Sequence, residues 1–566
     1  MKRESILSMI LFSLLVITAH AEKYRQNDES KSLIDCDVCV YSATPSGILT
    51  AIAVKEEGLS VVIVEPSKWV GGMLGAGIKP IQDCPNFEAV GGRTRELMKI
   101  LGTGKPDNDI SATELRKLIN TMSPRKIRSD FLEILNQHGI QVIYDHRIRS
   151  CQKKRGRITE TLYDYAPFDN TGCPVAKPER AFDLEVKAKI YIDASYDGEL
   201  MARSGVSFRI GRESSCDFSE NNAGTCEPTN LTQIDPFVEE RNSKSGLLPH
   251  IQDYFDGTTG KGDQYIQAYN FRFYVTSDPQ YKVELDPPQN YDHKDYELVG
   301  RYIEYLKENT KDENSLYEKL SWIFPGWRNS GDYNYQRQSL FTMAPVGVSH
   351  LYANGDYATK SRIWKYHQNY LAGLHYFLIT DSRVPEKFRE QTASLGLDIR
   401  QHPETHGWPH QLYIREARRL IGRYTITSDD VYNKTDIDDP IALAQYGIDV
   451  YPSRRIWLKK DGKVFVGLEG EMFVGGAKGP TNTPYPIPYR SITPKEYECS
   501  NLLVPVCFSA THLGYASARM EPVFMMCGES AGIAAVHAIQ ENVSVQNINM
   551  DKYEKKLISL KQKLLW

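Results

Sequence analysis

The chain has 566 residues, and its 68 lysines and arginines against 72 aspartates and glutamates give a formal charge of −4. So weak a charge over this length leaves no electrostatic footprint for nucleic acid, and the length argues for two or more structural units around a substantial core. Ten cysteines are far too few for a fold held together by disulfides.

The first element in the chain is a leader. Lys2 and Arg3 precede an apolar run, Ile6–Thr18, that is too short to span a bilayer comfortably, and Ala19-His20-Ala21 offers a small-residue cleavage site. This predicts a signal peptide over residues 1–21, a secreted or endomembrane protein, and no integral membrane segment after cleavage. Sequons at Asn230, Asn433 and Asn542 suit that compartment. Some cysteines are expected to pair there, with Cys216/Cys226 and Cys499/Cys507 the nearest candidates. Cys36-x-x-Cys39 lacks the second pair or the histidines of a zinc set, so no metal site is predicted.

Asp37–Tyr41 reads as a buried strand, Ile48–Glu57 as a helix and Leu59–Glu65 as a second strand apolar on both faces, which together make a parallel βαβ unit. The turn between them, VYSATPSGI at 40–48, has the shape of a dinucleotide-binding turn, whose tightness aims the next helix at a pyrophosphate. Ser42, Thr44, Pro45 and Gly47 are its candidate cofactor contacts. Gly47 permits close packing and Pro45 suits a first helical turn. Ser42 and Ala43 stand where glycines are expected, and a left-handed backbone there costs about 1–2 kcal/mol per residue.

Glu65 ends the second strand, where a carboxylate either receives ribose hydroxyls or caps the strand in solvent. The cluster VGGML at 70–74 offers Gly71, Gly72 and Met73 for close backbone approach to a larger, extended cofactor; the alternative is an ordinary loop. A helix and strand follow over 123–143, and Lys189–Ala194 is a further apolar strand.

From about residue 211 the texture becomes polar and then mixed. The alternation in 264–276 predicts a strand with Asn270 and Arg272 on one face, opposite Tyr269, Phe271 and Phe273. That polar face either roofs a ligand, with Arg272 stabilising anionic charge, or is salt-bridged structure. YIREARRL at 413–420 predicts a helix with Arg415, Arg418 and Arg419 on one face, serving as a solvated basic face or as a site for an anionic or hydroxylated substrate. Residues 501–539 return to parallel-sheet and close-packed-helix character: Pro522 starts a helix, and Gly528, Ala531, Gly532 and Ala535 form a small-residue stripe after the polar lead-in His512, Arg519 and Glu521. Residues 552–566 read as an amphipathic tail helix.

The turn, the strand-end Glu65 and the GGM that follows resemble the FAD-dependent oxidoreductases with a glutathione-reductase-type FAD domain. More specifically, IDASYDGELMARSGVSFRIGRES at 192–214, WPHQLYIREARRLIGRY at 408–424 and SATHLGYASARMEPVFMMCGESAG at 509–532 resemble a large, poorly characterised FAD-dependent oxidoreductase family, over about residues 36–541. The resemblance implies FAD contacts at Gly47, Glu65, Gly71, Gly72, Asp193, Ala531 and Gly532, and places Arg519 and Glu521 near the flavin. It implies an α/β architecture: a Rossmann-like FAD-binding domain from both chain ends, 36–210 and 491–545, an inserted mixed α+β substrate domain over 211–490, and a helical tail over 546–566. Some bacterial relatives are associated with polysaccharide breakdown, which points to a small hydroxylated or sugar-like substrate.

The chain departs from the family pattern at Asp398–Pro403, at Asp449-Val450-Tyr451-Pro452 and around Trp327–Asp332. These are natural acid–base positions, so the departures bear on substrate and turnover more than on cofactor binding. The resulting expectation is hydride transfer from a small substrate to flavin, with His512 as base and Arg519 or Arg272 supporting charge. The rival is a catalytically silent flavoprotein or binding module, and an NAD-linked dehydrogenase is disfavoured by the second glycine cluster. Material collected from the medium of secreting cells should begin at Glu22 by N-terminal mass spectrometry; an intact Met1 there would exclude the cleaved leader.

Overall fold

In a computed structural model of the chain, the described residues are 32–104, 110–325, 331–334, 337, 339–474 and 483–566. The expected leader at 1–21, and residues 327–330 of the departure around Trp327–Asp332, lie outside them.

A seven-stranded sheet carries the first half of the chain. Its central strand is β1 (Ser32–Tyr41), followed by helix α1 (Pro45–Glu56), β2 (Val61–Val64), a short helix α2 (Gly72–Ala76), helix α3 (Pro124–Gln137) and β3 (Gln141–Ile143). Strands β4 (His146–Lys154), β5 (Arg157–Tyr165) and β6 (Arg180–Asp193) complete the run, in the order β3-β2-β1-β6-β5-β4. The β3-β2-β1-β6 half is parallel, with Tyr41 opposite both Val64 and Asp193. The β6-β5-β4 half is an antiparallel meander. Fourteen-residue β6 serves both, since its C-terminal end pairs with a segment from far along the chain. The parallel strands therefore end along one edge, at Tyr41, Val64, Ile143 and Asp193.

Helix α1 starts where Thr44 caps it: its side chain accepts from the Gly47 N–H, and Pro45 fills the first position. It is buried continuously from Pro45 to Val54, because it is covered on one side by the sheet and on the other by the C-terminal helix. An all-round apolar helix is what such a position requires.

The middle of the chain adds β7 (Phe273–Thr276), a long helix α4 (Tyr357–Thr380) and a hairpin of β8 (Arg454–Lys460) with β9 (Lys463–Glu469). The hairpin turns on Asp461 and Gly462, both at positive φ (51° and 74°), which matches the twist of the flanking strands. The strand expected over 264–276 shrinks to its last four residues. The preceding backbone is captured elsewhere: the Gln267 N–H donates to Glu416 Oε1, the Ala268 N–H to Pro452 O and the Tyr269 N–H to Ser349 Oγ.

No helix forms over 413–420. Tyr413 makes a single bridge to Asn270, residues 414–418 are irregular, and Arg419–Leu420 pairs with Phe208–Arg209. The three arginines share no face. Arg415 donates to Ala268 O and Asn270 Oδ1, Arg418 to Asp197 O and Glu199, and Arg419 to Gly211 O beside Glu213. Each is buried, so neither a solvated basic face nor a shared substrate cluster exists.

The chain returns to the sheet as β10 (Leu502–Leu503), parallel to β6 at Tyr191 and Ile192. Helix α5 (Glu521–Glu541) follows; it is long and apolar enough to cross a membrane by length and composition, but 89% of that stretch is buried inside the molecule. It lies directly on α1. A Cβ at Gly528 would stand 2.2 Å from Ser46 O, and one at Gly532 would stand 2.7 Å from Thr50 O. Helix α6 (Met550–Ser559) packs Tyr553 and Leu557 inward, and it stops at Ser559 because the following turn puts Lys561 in the left-handed region. The tail helix is thus shorter than 552–566.

All ten cysteines are free thiols. Cys499 Sγ faces Asn501 Oδ1 and Cys507 Sγ faces Ser195 O, so that expected pair points to different elements. Cys216, exposed, and half-buried Cys226 are likewise unbonded. Gly528→Val should lower the thermal midpoint by about 1–3 °C, since overpacking a close contact costs about 1–3 kcal/mol and a chain of this length unfolds with an entropy of about 1.1 kcal/mol/K; an unchanged melting curve would mean that the helices do not touch there.

Candidate active site

Open parallel sheets bind ligands beyond the carboxyl ends of their strands, and an open cavity of about 90 Å3 lies there. Ser42, Glu65, Ser67, Arg147, Ser195 and Lys360 are among its walls. Ser42 takes the left-handed conformation usually left to glycine, with φ 80°. Its neighbours hold it there: the Ser42 N–H donates to Val64 O, and Ser42 Oγ and the Ala43 N–H both donate to Glu65 Oε2, at 3.0 and 2.6 Å. Ser67 donates to the other oxygen through its N–H (2.9 Å) and its Oγ (2.6 Å). Glu65 is buried rather than a solvated strand cap. Burial pushes its carboxyl above the ordinary value, and the bonds from Ser67, Ala43 and Ser42 oppose that rise.

The other residues of the turn have distinct work. Thr44 Oγ1 donates to Ala194 O, tying the helix cap to β6. A Cβ at Gly47 would stand 2.1 Å from Ser42 O, so the turn tolerates no side chain there. The second glycine cluster folds back on the first, as the Gly71 N–H donates to Ala43 O. Gly71 and Gly72 both have positive φ, and Tyr196 lies over Gly72, its hydroxyl 2.4 Å from where a Cβ would be. That hydroxyl accepts from the Met73 N–H (2.9 Å) and donates to Glu521 Oε1 (2.6 Å).

Asp193 braces the turn after β6, accepting from Ser195 and from the Met201 N–H. Burial raises its carboxyl to about 6. Gly532 lies within the helix-on-helix contact, and neither it nor Ala531 lines either cavity.

Beyond Tyr196 and Ile414, which line both spaces, is a smaller and more enclosed chamber. Met73, Asp83, Tyr413, Arg415, Arg519 and Glu521 are among its walls. Arg519 donates to Asp449 O (2.8 Å), Gln267 Oε1 (3.2 Å) and Tyr413 Oη (3.4 Å). Burial pushes the Glu521 carboxyl up to about 8; the Tyr196 hydroxyl opposes this and the Asp83 charge adds to it.

Of the three expected catalytic residues, only Arg519 lines this chamber. Arg272 packs across Gly77 and donates to Gln82 Oε1. His512 sits behind the wall, its Nδ1 2.9 Å from Glu416 Oε2. Against burial, His512 and Arg419 hold the Glu416 carboxyl down at about 2. Gln267 joins this pair to the chamber, since its N–H donates to Glu416 while its Oε1 accepts from Arg519. At the positions that depart from the family pattern, Asp398 is bonded to Arg400, Asp449 to Arg337, and Tyr451 lies under Arg415.

Sequence reasoning missed Tyr196 and Tyr413 as wall residues, although both lie inside quoted motifs. It also missed Lys360, which is buried against Asp197 and Glu199 beneath the outer cleft.

Residues 37–557 match the FAD dependent oxidoreductase family. The chain belongs to that family. No curated protein matches it. Among solved structures, L-proline dehydrogenase from P. horikoshii is 14% identical, over 36% of this chain and 26% of its own, with a TM-score of 0.17. Thioredoxin reductase from T. acidophilum is 19% identical, over 28% of this chain and 34% of its own, with a TM-score of 0.15. The myxobacterial chondrochloren halogenase is 14% identical, over 31% of this chain and 41% of its own, with a TM-score of 0.20. The chain thus spans between a quarter and two fifths of the length of these neighbours.

FAD is the cofactor of this oxidoreductase family, and the residues present fit it. The glycine at 47 leaves the turn its close approach, the buried acid at the end of β2 holds that turn in shape, and a second chamber adjoins the cleft at Tyr196 and Ile414.

Glu521 supplies a pH signature. It keeps its proton while an unfolded glutamate, near 4.5, loses its own, so its contribution to stability is complete below about 4.5 and is lost as pH rises towards about 8. Glu521→Gln should remove that component. In urea titrations at pH about 6 and about 8.5, the wild type is expected to lose more stability between the two than the variant does; equal losses would mean that Glu521 ionises normally.

Proposed function

We propose that this FAD-dependent oxidoreductase acts in the secretory or extracellular compartment and oxidises a small hydroxylated, sugar-like substrate, returning electrons to oxygen. Bound FAD supplies the hydride acceptor. The observation that carries this reading is the continuity of the site, with the outer cleft at Glu65 and the inner chamber at Glu521 meeting at Tyr196 and Ile414.

In this reading Ser42, Ser67 and Ser195 line the nucleotide end, and Glu65 fixes the shape of the turn there. The Met73 and Gly72 backbone, fixed by Tyr196, holds the approach to the inner chamber. Arg519 and Tyr413 orient the substrate, and Glu521 keeps its proton at neutral pH. His512, behind the chamber wall, acts as a positioning residue: its ring holds Glu416, which accepts from the Gln267 N–H, and Gln267 Oε1 in turn accepts from Arg519. The leader, with its cleavage site at Ala21, supports the compartment, and an extracellular setting favours oxygen over a nicotinamide as electron partner.

One observation favours a second reading, a flavin-free binding protein. The two Glu65 oxygens already receive four protein hydrogen bonds, the full acceptor capacity of a carboxylate. The absorption spectrum of the purified protein separates the two. A two-banded yellow spectrum released on unfolding is expected, with hydrogen peroxide formed on adding a sugar-type substrate and lost, together with kcat, in Arg519→Ala. A protein that stays colourless with added FAD supports the second reading.

A further inference from the structure

Two guanidiniums line the inner chamber, and among the described residues neither has a carboxylate closer than 3.9 Å. Arg415 is 1% exposed and Arg519 is 5% exposed. Arg415 donates to Ala268 O (2.6 Å), Asn270 Oδ1 (2.6 Å) and Asn334 Oδ1 (3.0 Å), all neutral acceptors. It also shares a hydrogen bond with the Tyr451 phenol, which, against burial, it holds below its ordinary range together with Arg337, Arg519 and Arg272. Its faces are covered by the rings of Tyr413 and Tyr451, with its Cζ 4.3 and 3.7 Å from their centroids. No carboxylate among the described residues comes within ion-pair distance of it. Arg519 has one, Asp449 Oδ2 at 3.9 Å, and that carboxylate is bonded more closely to Arg337. The Nε of both arginines is buried without an acceptor.

A buried guanidinium is costly unless it is paired, and this chain pairs others. Arg212, as deeply buried, holds Asp263 at 2.5 Å and Glu469 at 2.7 Å, and Arg418 holds Glu199 at 2.8 Å. The chamber's own acids do not fill the gap. Asp83 is beyond ion-pair distance of both guanidiniums, and Glu521 is bonded to Tyr196 and keeps its proton below about pH 8. Met73, Ile78 and Phe524 supply apolar lining to the same chamber.

We infer that the substrate is a small carboxylate, seated in the inner chamber with its carboxyl group against Arg415 and Arg519 and its carbon skeleton on the Met73–Ile78–Phe524 wall. This rests on the proposed FAD-dependent oxidation and narrows its hydroxylated substrate to a hydroxy acid or acidic sugar. A planar carboxylate matches a planar guanidinium fork, and an apolar wall suits a short carbon chain better than it suits a bare inorganic ion.

The test is a titration of the flavin-bearing protein with acetate, oxalate and benzoate, alongside acetamide, benzamide and inorganic sulfate, following the flavin absorbance. Saturable shifts are expected with the carboxylates and not with the amides, weakened at least tenfold in Arg415→Met and Arg519→Met and partly retained in Arg415→Lys. Equal shifts with benzamide and benzoate would overturn the inference, as would tighter binding of sulfate than of any carboxylate. A yellow protein that oxidises neutral sugars but ignores every carboxylate would overturn it while leaving the oxidoreductase reading intact. A colourless protein would remove that reading, and calorimetry with benzoate would then decide the carboxylate site: heat of binding lost in Arg415→Met supports it, and no heat overturns it.

Discussion

The contact between helices α1 and α5 is the constraint on which the rest of the molecule depends. With no side chain at Gly528 or Gly532, the two backbones approach until Thr50 Oγ1 lies 2.8 Å from Gly528 O and 2.9 Å from its own helix's Ser46 O. Residues almost five hundred positions apart are thereby locked together, and the two ends of the chain become one unit. The same helix then carries Glu521 at its N-terminus to the loop at Met73, where Tyr196 joins them. A larger residue in the stripe would lift α5 off α1, and it would also move the acid that closes the inner chamber. Stability and site geometry are here set by the same atoms.

Charge is handled in two ways. Beneath the outer cleft Glu199 is surrounded by Lys360, Arg418 and Arg203, which hold its carboxyl far below the ordinary range despite burial. Arg212 with Asp263 and Glu469 ties the middle of the chain together in the same fashion. These networks are closed: each buried charge has its partner, as the cost of desolvation demands. The inner chamber is more open in that sense, since Arg415 meets carbonyls, amides and tyrosine rings, and Arg519 has an acid, Asp449, only at 3.9 Å. Buried positive charge without a fixed partner is affordable when a ligand completes it.

The turn at Ser42 is a local case of strain compensated by neighbours. A serine there loses the conformational freedom of glycine but gains a hydroxyl, which donates to the very carboxylate that stands at the end of β2. Glu65 thus holds its own turn in shape. The substitution that looks like a defect in the linear motif is part of a four-bond cluster in the folded molecule.

The amino-acid sequence by itself determined β1, α1 and β2, the return of the chain at 501–539 and the close-packed stripe on α5, because each is written in local periodicity, small residues and helix starts. Tertiary structure alone decided the destinations of the long polar side chains. YIREARRL has the spacing of a basic helix face, yet partners at 197–199, 211–213 and 268–270 pull its arginines in three directions, and those buried bonds outweigh the modest propensity of eight residues for helix. The strand over 264–276 yields for the same reason, its donors taken by Glu416, Pro452 and Ser349. Spacing cannot report which distant acceptor a buried guanidinium or N–H will find, and that pairing is what places Arg415 in the chamber and His512 behind it.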